Sequence, residues 1–146
     1  MTTKFSQFPA GNNIIAGDVV VGLRNGINTQ FIANYFPIQN WTTLTVSQAL
    51  LPNEGYILAN AAPASYSLPT VMEFGQSIQL ASITAQVCTI TQAAGQQIQF
   101  GNLATTLGVG GSIATSAIGD SLTLVCTVAN TTFIVLSGSM GNWTIT

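Results

Sequence analysis

The side chains that could carry out acid–base chemistry are few in this sequence and far apart. There is no histidine, which removes the most common general base and every nucleophile that relies on a histidine partner. The four carboxylates are Asp18, Glu54, Glu73 and Asp120, and each lies near a predicted turn, where acidic side chains are commonly solvated or bonded to the backbone. We therefore predict that the protein is not an enzyme and has no catalytic residues.

The same scarcity of ligating side chains argues against a bound metal ion or cofactor. A metal site needs a cluster of Asp, Glu, Cys or His, and the sequence contains no such cluster. The glycines from Gly101 to Gly111 are not followed by the Lys and Ser or Thr of a phosphate-binding loop. We predict no metal and no cofactor, and leave open a Ca²⁺ ion shared between subunits.

The two cysteines, Cys88 and Cys126, are spaced unlike any zinc-binding or redox motif. Each falls on the apolar phase of a predicted strand, Cys88 with Ile90 and Cys126 with Leu124. This placement indicates two buried, reduced thiols. A disulfide between adjacent strands stays open as the alternative, although the sequence shows no secretion signal that would lead to an oxidising compartment.

Aromatic residues are the remaining candidates for a binding surface. Aromatic faces beside amide side chains suit a carbohydrate, whereas in a β protein such residues more often lie in the core or at a subunit interface. Both interpretations stay open for four candidates, Trp41, Tyr66, Phe133 and Trp143.

Charge is unusually scarce along the whole chain of 146 residues. Charged residues make up 4% of the sequence, against roughly 25% in ordinary soluble proteins. A monomer normally keeps itself soluble with mixed surface charge, so we predict that copies of the same chain cover much of this surface. The composition thus favours a homo-oligomer, with trimer and open polymer both possible.

Several classes of partner are excluded by the same composition. Two basic residues cannot neutralise a run of phosphates, so we predict no nucleic-acid binding. Polar residues interrupt every apolar run before it reaches the 18 or more residues of a membrane helix, so we predict no membrane insertion.

The periodicity of apolar residues predicts strands almost everywhere and no long helix. Residues 1–16, with Phe5 and Phe8, are expected to form an extended arm that assembles on a neighbour, and residues 17–146 a single all-β domain with a possible boundary near 52–55. Asn25-Gly26 predicts a hairpin between strands at 18–23 and 27–33.

Further strands are predicted at regular spacing through the rest of the chain. Residues 47–51 are expected to form at most one helical turn, and the glycine-rich residues 108–119 a long loop or a tightly apposed segment. The sequence Gly75-Gln76-Ser77-Ile78-Gln79-Leu80 is echoed by Gly95-Gln96-Gln97-Ile98-Gln99-Phe100, which indicates two equivalent strands. The strands are expected near 41–46, 56–60, 65–69, 77–82, 86–92, 96–101, 121–129, 132–137 and 142–146.

A series of short strand-and-turn motifs runs through residues 55–146. They are Gly55-Tyr56-Ile57-Leu58-Ala59-Asn60, Ser67-Leu68-Pro69, Gly75-Gln76-Ser77-Ile78, Ile90-Thr91-Gln92-Ala93-Ala94-Gly95-Gln96-Gln97-Ile98, Phe100-Gly101, Gly119-Asp120-Ser121-Leu122-Thr123-Leu124-Val125-Cys126 and Gly141-Asn142-Trp143-Thr144. Through these motifs, residues 55–146 resemble a β-module of phage tail-fibre and related virion proteins. The upstream segment from Ala16 to Gly26 is similar to one that recurs near the starts of phage structural proteins.

The resemblance implies an antiparallel β-sandwich or jelly-roll-like unit, usually three-fold, at a fibre tip or joint, with receptor contact through loops. It implies a virion protein assembled in the host cytoplasm, whose partners are itself, other virion proteins and a host receptor such as a glycan. The expected function is therefore structural, in a tail fibre or similar appendage that contributes to host attachment. A self-assembling surface fibre and a capsid-decoration protein remain the alternatives.

Overall fold

The structure is a computed structural model that describes residues 19–24, 27–32, 40–136 and 138–146. The chain divides into two compact units, Met1–Ile38 and Gln39–Thr146. The predicted arm with Phe5 and Phe8 lies outside the described residues.

The first unit contains the predicted hairpin. Strands β1 (Val19–Arg24) and β2 (Ile27–Ile32) pair antiparallel, and Arg24 lies opposite Ile27. This register leaves two residues for the connection, which matches the Asn25-Gly26 turn signal in the sequence. The hairpin prediction is therefore confirmed for its two strands.

The second unit is built from strands, and no helix occurs among its described residues. Most of the predicted strands are present, with ends that differ by a few residues. The strands are β3 (Asn40–Leu44), β4 (Gln48–Ala49), β5 (Glu54–Leu58), β6 (Ala64–Ser67), β7 (Ser77–Ser82), β8 (Cys88–Thr91), β9 (Gln97–Phe100), β10 (Leu103–Ala104), β11 (Ser112–Thr115), β12 (Ser121–Val128), β13 (Thr132–Val135) and β14 (Thr144–Ile145).

These strands form a seven-stranded sheet in the order β10-β9-β13-β12-β7-β5-β3 and a five-stranded sheet in the order β14-β11-β8-β6-β4. From β3 to β8 the chain alternates between the sheets, so that β3, β5 and β7 are parallel in one and β4, β6 and β8 in the other. Strands β11, β12 and β14 then pair antiparallel.

Both sheets are therefore mixed. The prediction of an antiparallel arrangement is wrong for β3 to β8 and also for β13, which pairs parallel with β9. The alternation of apolar and polar residues shows which face of a strand is buried, but it is the same for parallel and antiparallel neighbours. The direction of pairing follows from the route of the chain between the sheets, which the alternation does not record.

The two sheets share one hydrophobic core. Along β7 and β12 every second side chain is buried, as the sequence pattern predicts. Ile78 and Leu124 from the larger sheet join Ile90 and Ile113 from the smaller one in a single buried cluster. Each such side chain contributes about 1.5–3 kcal/mol when it is fully removed from water. Two mixed sheets that face each other across this core are the all-β architecture of the unit.

The echoed sequences begin with the same turn. In the first copy, the Gln76 amide N–H donates to the Glu73 carbonyl over 3.2 Å, and the Glu73 N–H donates to the Gln76 side-chain oxygen over 2.7 Å. Gly75 between them has a φ of 83°, which glycine adopts without strain.

The second copy repeats this geometry. The Gln96 N–H donates to the Ala93 carbonyl over 3.1 Å, and the Ala93 N–H donates to the Gln96 side-chain oxygen over 2.8 Å. Gly95 has a φ of 78°. The first turn leads directly into β7 and the second into β9, both in the seven-stranded sheet. The isoleucines at equivalent positions of the two copies, Ile78 and Ile98, are both fully buried.

Three strands lie where the sequence predicted none. Strand β4 occupies the segment expected to form a helical turn, and the short β10 follows the strand predicted at 96–101. Strand β11 lies inside the glycine-rich segment expected to be a long loop or a tightly apposed segment. Strand β11 is held by β8 on one side and β14 on the other, with Ile113 fully buried. Long-range pairing thus determines its conformation, because its small residues give little local signal.

Both cysteines are buried as free thiols, which confirms the sequence interpretation. Burial raises the pKa of the Cys88 thiol above its ordinary value of 9.0, although a hydrogen bond to Asn60 acts in the opposite direction. Burial also raises the pKa of Tyr66 above 10.0, and the charge of the neighbouring Cys88 adds to this effect. Burial likewise raises the pKa of Tyr56.

We expect the protein to lose stability in alkaline solution. The folded state holds these protons more tightly than the unfolded chain, so the stability is fully present below pH 9.0 and falls as the pH rises through the raised values. Urea denaturation at neutral pH and above pH 10.0 measures the loss. A Cys88→Ala variant should lose less over the same range, and an unchanged urea midpoint in the parent protein would contradict the prediction.

Candidate functional site

The candidate site lies on the outer face of the seven-stranded sheet, near its β3 edge. Trp41 on β3 pairs with Gly55 on β5, Gly55 pairs with Gln79 on β7, and Gln79 pairs with Thr123 on β12. The residues next to these in sequence on β7, Ile78 and Leu80, point into the core. The row from Trp41 to Thr123 therefore lies on the face opposite the core.

Gly55 determines where the Trp41 side chain lies. A Cβ atom placed on Gly55 would come within 2.6 Å of Cδ2, 2.7 Å of Cε2 and 2.9 Å of Cε3 of the Trp41 indole. Cδ2 is a ring-fusion atom bonded to three ring neighbours, so another atom can approach it this closely only from the ring face. The indole thus lies with one face against the backbone of β5, across the position where other residues carry a side chain.

Beyond Gly55 the indole borders a shallow cleft of about 230 Å³. Polar groups of the cleft are the Gln79 amide and the Ser121 and Thr123 hydroxyls, and the hydrogen bonds between described residues use none of these three side chains. The described residues that line it are Trp41, Gln79, Leu80, Ala81, Ser121, Leu122, Thr123 and Gly138.

None of the described residues that line the cleft carries a charge. The two basic residues of the sequence, Lys4 and Arg24, both precede the second unit. Of the carboxylates in that unit, Asp120 is buried, with 4% of its surface exposed, and accepts a hydrogen bond from the Thr115 hydroxyl. The described side chains of the cleft can stack on and hydrogen-bond to an uncharged group, and none of them is an acid, a base or a nucleophile of altered reactivity.

The structure does not bring the four aromatic candidates together. Tyr66 and Phe133 are fully buried in the core, where Tyr66 donates its hydroxyl hydrogen to the Asn60 side chain over 3.2 Å. Trp143 packs half-buried against the core, and its indole N–H donates to the Met140 carbonyl over 3.1 Å. Only Trp41 borders the cleft.

The other members of the cleft were not singled out from the sequence. Gln79, Ser121 and Thr123 are ordinary outward-facing residues of alternating strands, and no local pattern distinguishes them. Gly55 did offer a signal, because a glycine within a strand often marks a close approach by another group. The sequence could not show that this group is Trp41.

Other kinds of site receive no support from the part of the chain that the structure describes. Those residues contain no group of three or more His, Cys, Asp or Glu side chains placed to hold a metal ion. They also form no helix that is long and apolar enough to cross a membrane.

The described residues of the second unit thus define a β protein of two mixed sheets with an uncharged, aromatic-bordered cleft on one outer face. Comparison of the sequence with protein-family models and with curated proteins finds no match.

Proposed function

We propose that this protein is a non-enzymatic structural subunit of a virion appendage such as a tail fibre, that it works as a homo-oligomer, and that it contributes to host attachment. The proposed assembly is a trimer of β-sandwich, jelly-roll-like units, made in the host cytoplasm and carried on the virion. The observation that carries the proposal is the apolar surface of the second unit.

Large apolar side chains are exposed at many points of that surface. Phe74 and Val109 are each more than three-quarters exposed, at 77% and 79%, and Ile118 is 70% exposed. Single exposed apolar residues are common on monomers, but in this unit they are combined with only three carboxylates and no basic residue. Such a surface is poorly suited to a monomer in water and well suited to contact between subunits.

The edges of the two sheets support the same conclusion. Strands β3 and β10 end the larger sheet, and β4 and β14 end the smaller one. An uncovered edge offers backbone groups that pair with other chains, and proteins usually protect edges with charge, proline or a covering segment. With so little charge available, a closed assembly of identical subunits is the protection that this composition favours.

The virion assignment rests on the resemblance of residues 55–146 to a tail-fibre β-module. Two of the motifs that carry the resemblance are the echoed Gly-Gln turns, which precede β7 and β9. A structural role also agrees with a surface cleft whose described lining contains no catalytic group.

Native mass measured by light scattering, together with negative-stain imaging at physiological salt, tests the proposal. We expect a discrete oligomer with the mass of a trimer. The Phe74→Ser and Val109→Ser variants should shift the population to smaller species if these side chains lie between subunits, because a polar hydroxyl replaces apolar contact area. A stable monomer would contradict the proposal, and long filaments would favour a self-assembling surface fibre.

A discrete oligomer leaves two possible locations on a virion, and binding assays separate them. An appendage subunit should adsorb to host cells, and adsorption of purified oligomer to cells can be measured by sedimentation. Binding to emptied capsids without adsorption to cells would instead identify a capsid-decoration protein.

A further inference from the structure

We propose that the Trp41 cleft binds a neutral saccharide. This inference rests on the proposed attachment function and deepens it, because it names the ligand class and the surface that contacts it. Three independent features of the cleft support it: the orientation of the indole, the kind of polar group beside it and the absence of charge among its described residues.

The indole is oriented as a stacking platform. One of its faces lies against the Gly55 backbone, and 47% of the Trp41 surface is exposed to solvent. The face of an aromatic ring carries partial negative charge and attracts the weakly positive C–H groups of a second flat surface. One face of a pyranose ring presents such C–H groups, so it can lie on the indole while its hydroxyls point sideways.

The polar groups lie where a stacked ring would present its hydroxyls. Gln79 and Thr123 follow Trp41 in the same row across the sheet. Ser121 lies two residues before Thr123 on β12, so its side chain is on the same face of the sheet. Strands are about 4.8 Å apart, so a ring above the indole has its edge within reach of the Gln79 amide. Amides and hydroxyls both donate and accept hydrogen bonds, as sugar hydroxyls require.

The lack of charge selects among sugars. An acidic sugar or a phosphate is usually held by Arg or Lys, and the second unit contains neither residue. Burying an anion in this cleft without a cation would be unfavourable. A neutral hexose or N-acetylhexosamine needs no such partner.

The size of the cleft matches a small group. Its volume of about 230 Å³ is below the roughly 300–1,000 Å³ of pockets that enclose drug-sized ligands. A single sugar ring, at the end or on a branch of a longer glycan, is therefore the expected occupant. Few contacts form, so we expect weak binding by one subunit, near the millimolar range, strengthened when several subunits of an oligomer bind one surface.

Tryptophan fluorescence tests the inference, because the sequence contains only two tryptophans. In the full-length Trp143→Phe variant all tryptophan emission comes from Trp41. The probes are glucose, galactose, N-acetylglucosamine and N-acetylgalactosamine, with N-acetylneuraminic acid as the anionic comparison. We expect a saturable change in emission with at least one neutral sugar and none with the anionic sugar.

Variants of the cleft assign the signal. Gln79→Ala should weaken binding about tenfold, the equivalent of about 1.4 kcal/mol for one or two lost hydrogen bonds. Gln99→Ala is the matched control, because Gln99 also faces outward from this sheet but lies on β9, away from the cleft. Gly55→Ala should abolish binding without removing Trp41, since its methyl group would displace the indole.

Two results would overturn the inference. One is the absence of a saturable change with every neutral sugar in a variant whose circular dichroism matches the parent. The other is a change of native mass in Gly55→Ala, which would show that the cleft is a subunit interface. A monomer that still binds a neutral sugar would contradict the proposed function and leave the inference standing, whereas an oligomer that adsorbs to cells and binds none of the neutral sugars would contradict the inference alone.

Discussion

Replacing Phe133 with alanine is expected to lower the free energy of unfolding by about 3–5 kcal/mol. The ring is fully buried on β13, and its neighbours across the sheet are Cys126 on β12 and Ile98 on β9, both also fully buried. Removing the ring leaves a cavity on the core side of the seven-stranded sheet, and the paired strands β9 and β12 on either side limit how far the chain can move to fill it. Urea denaturation followed by circular dichroism measures the loss.

Phe74→Ala is the matched control for this prediction. It makes the same substitution at a side chain that is 77% exposed, so we expect a change within about 0.5 kcal/mol when the subunit is dilute. If Phe74 lies between subunits, its effect should grow with protein concentration, because association stabilises the folded state by mass action. Equal losses in the two variants at low concentration would show that Phe133 does not lie in the core.

Replacing Gln92 with methionine is expected to lower the free energy of unfolding by about 2–4 kcal/mol, since each lost hydrogen bond is worth roughly 0.5–1.5 kcal/mol. Gln92 is 5% exposed, and its amide donates to the carbonyls of Gln96 over 2.6 Å, Thr106 over 3.1 Å and Gly108 over 3.1 Å. Its side-chain oxygen accepts from the hydroxyl of buried Thr105.

One buried side chain thus ties the segment between β10 and β11 to the turn before β9. The same contacts explain Gly111. A Cβ atom there would collide first with the Thr106 backbone carbonyl, which accepts from Gln92, and would also come within 2.8 Å of both polar atoms of the Gln92 amide. Methionine fills a similar volume but offers no donor, so the carbonyls lose a partner without a large cavity being made. Hydrogen exchange should increase first in residues 101–111, before the strands of the core are affected.

Gln99→Met is the control for the Gln92 prediction. Gln99 faces outward from β9, and the hydrogen bonds between described residues do not include its side chain, so we expect almost no change in the urea midpoint. A Gln92→Met protein as stable as Gln99→Met would show that water or neighbouring groups replace the lost bonds, and that the Gln92 contacts are not what holds the segment.

The strands that the sequence predicted correctly are those with a strong local signal. In β7 and β12 alternating polar and apolar residues follow a Gly turn, and both the buried face and the start of each strand came directly from that pattern. The β1–β2 hairpin was predicted from Asn25-Gly26 for the same reason.

The candidate site could be predicted only in part. Trp41 was a candidate because an aromatic face beside amide side chains suits a carbohydrate. Tyr66 and Phe133 were candidates for the same reason, but both lie in the core. Gln79 and Thr123 are 44 positions apart in the sequence, and they become neighbours only because β7 pairs with β12. No local pattern contains that information.

The sequence by itself determined the β class, the positions of the turns, the burial of Cys88 and Cys126 and the near absence of charge. These properties depend on residue type and on neighbours within a few positions, where side-chain alternation and glycine conformation act. Only the tertiary structure decided that β3 to β8 alternate between two sheets and pair in parallel, that β11 is a strand, and that Trp41 lies on Gly55 beside Gln79. Those features arise from contacts between segments that are distant in the sequence. Many alternative pairings of the same strands have similar local energies, and only the packing of the whole core distinguishes between them.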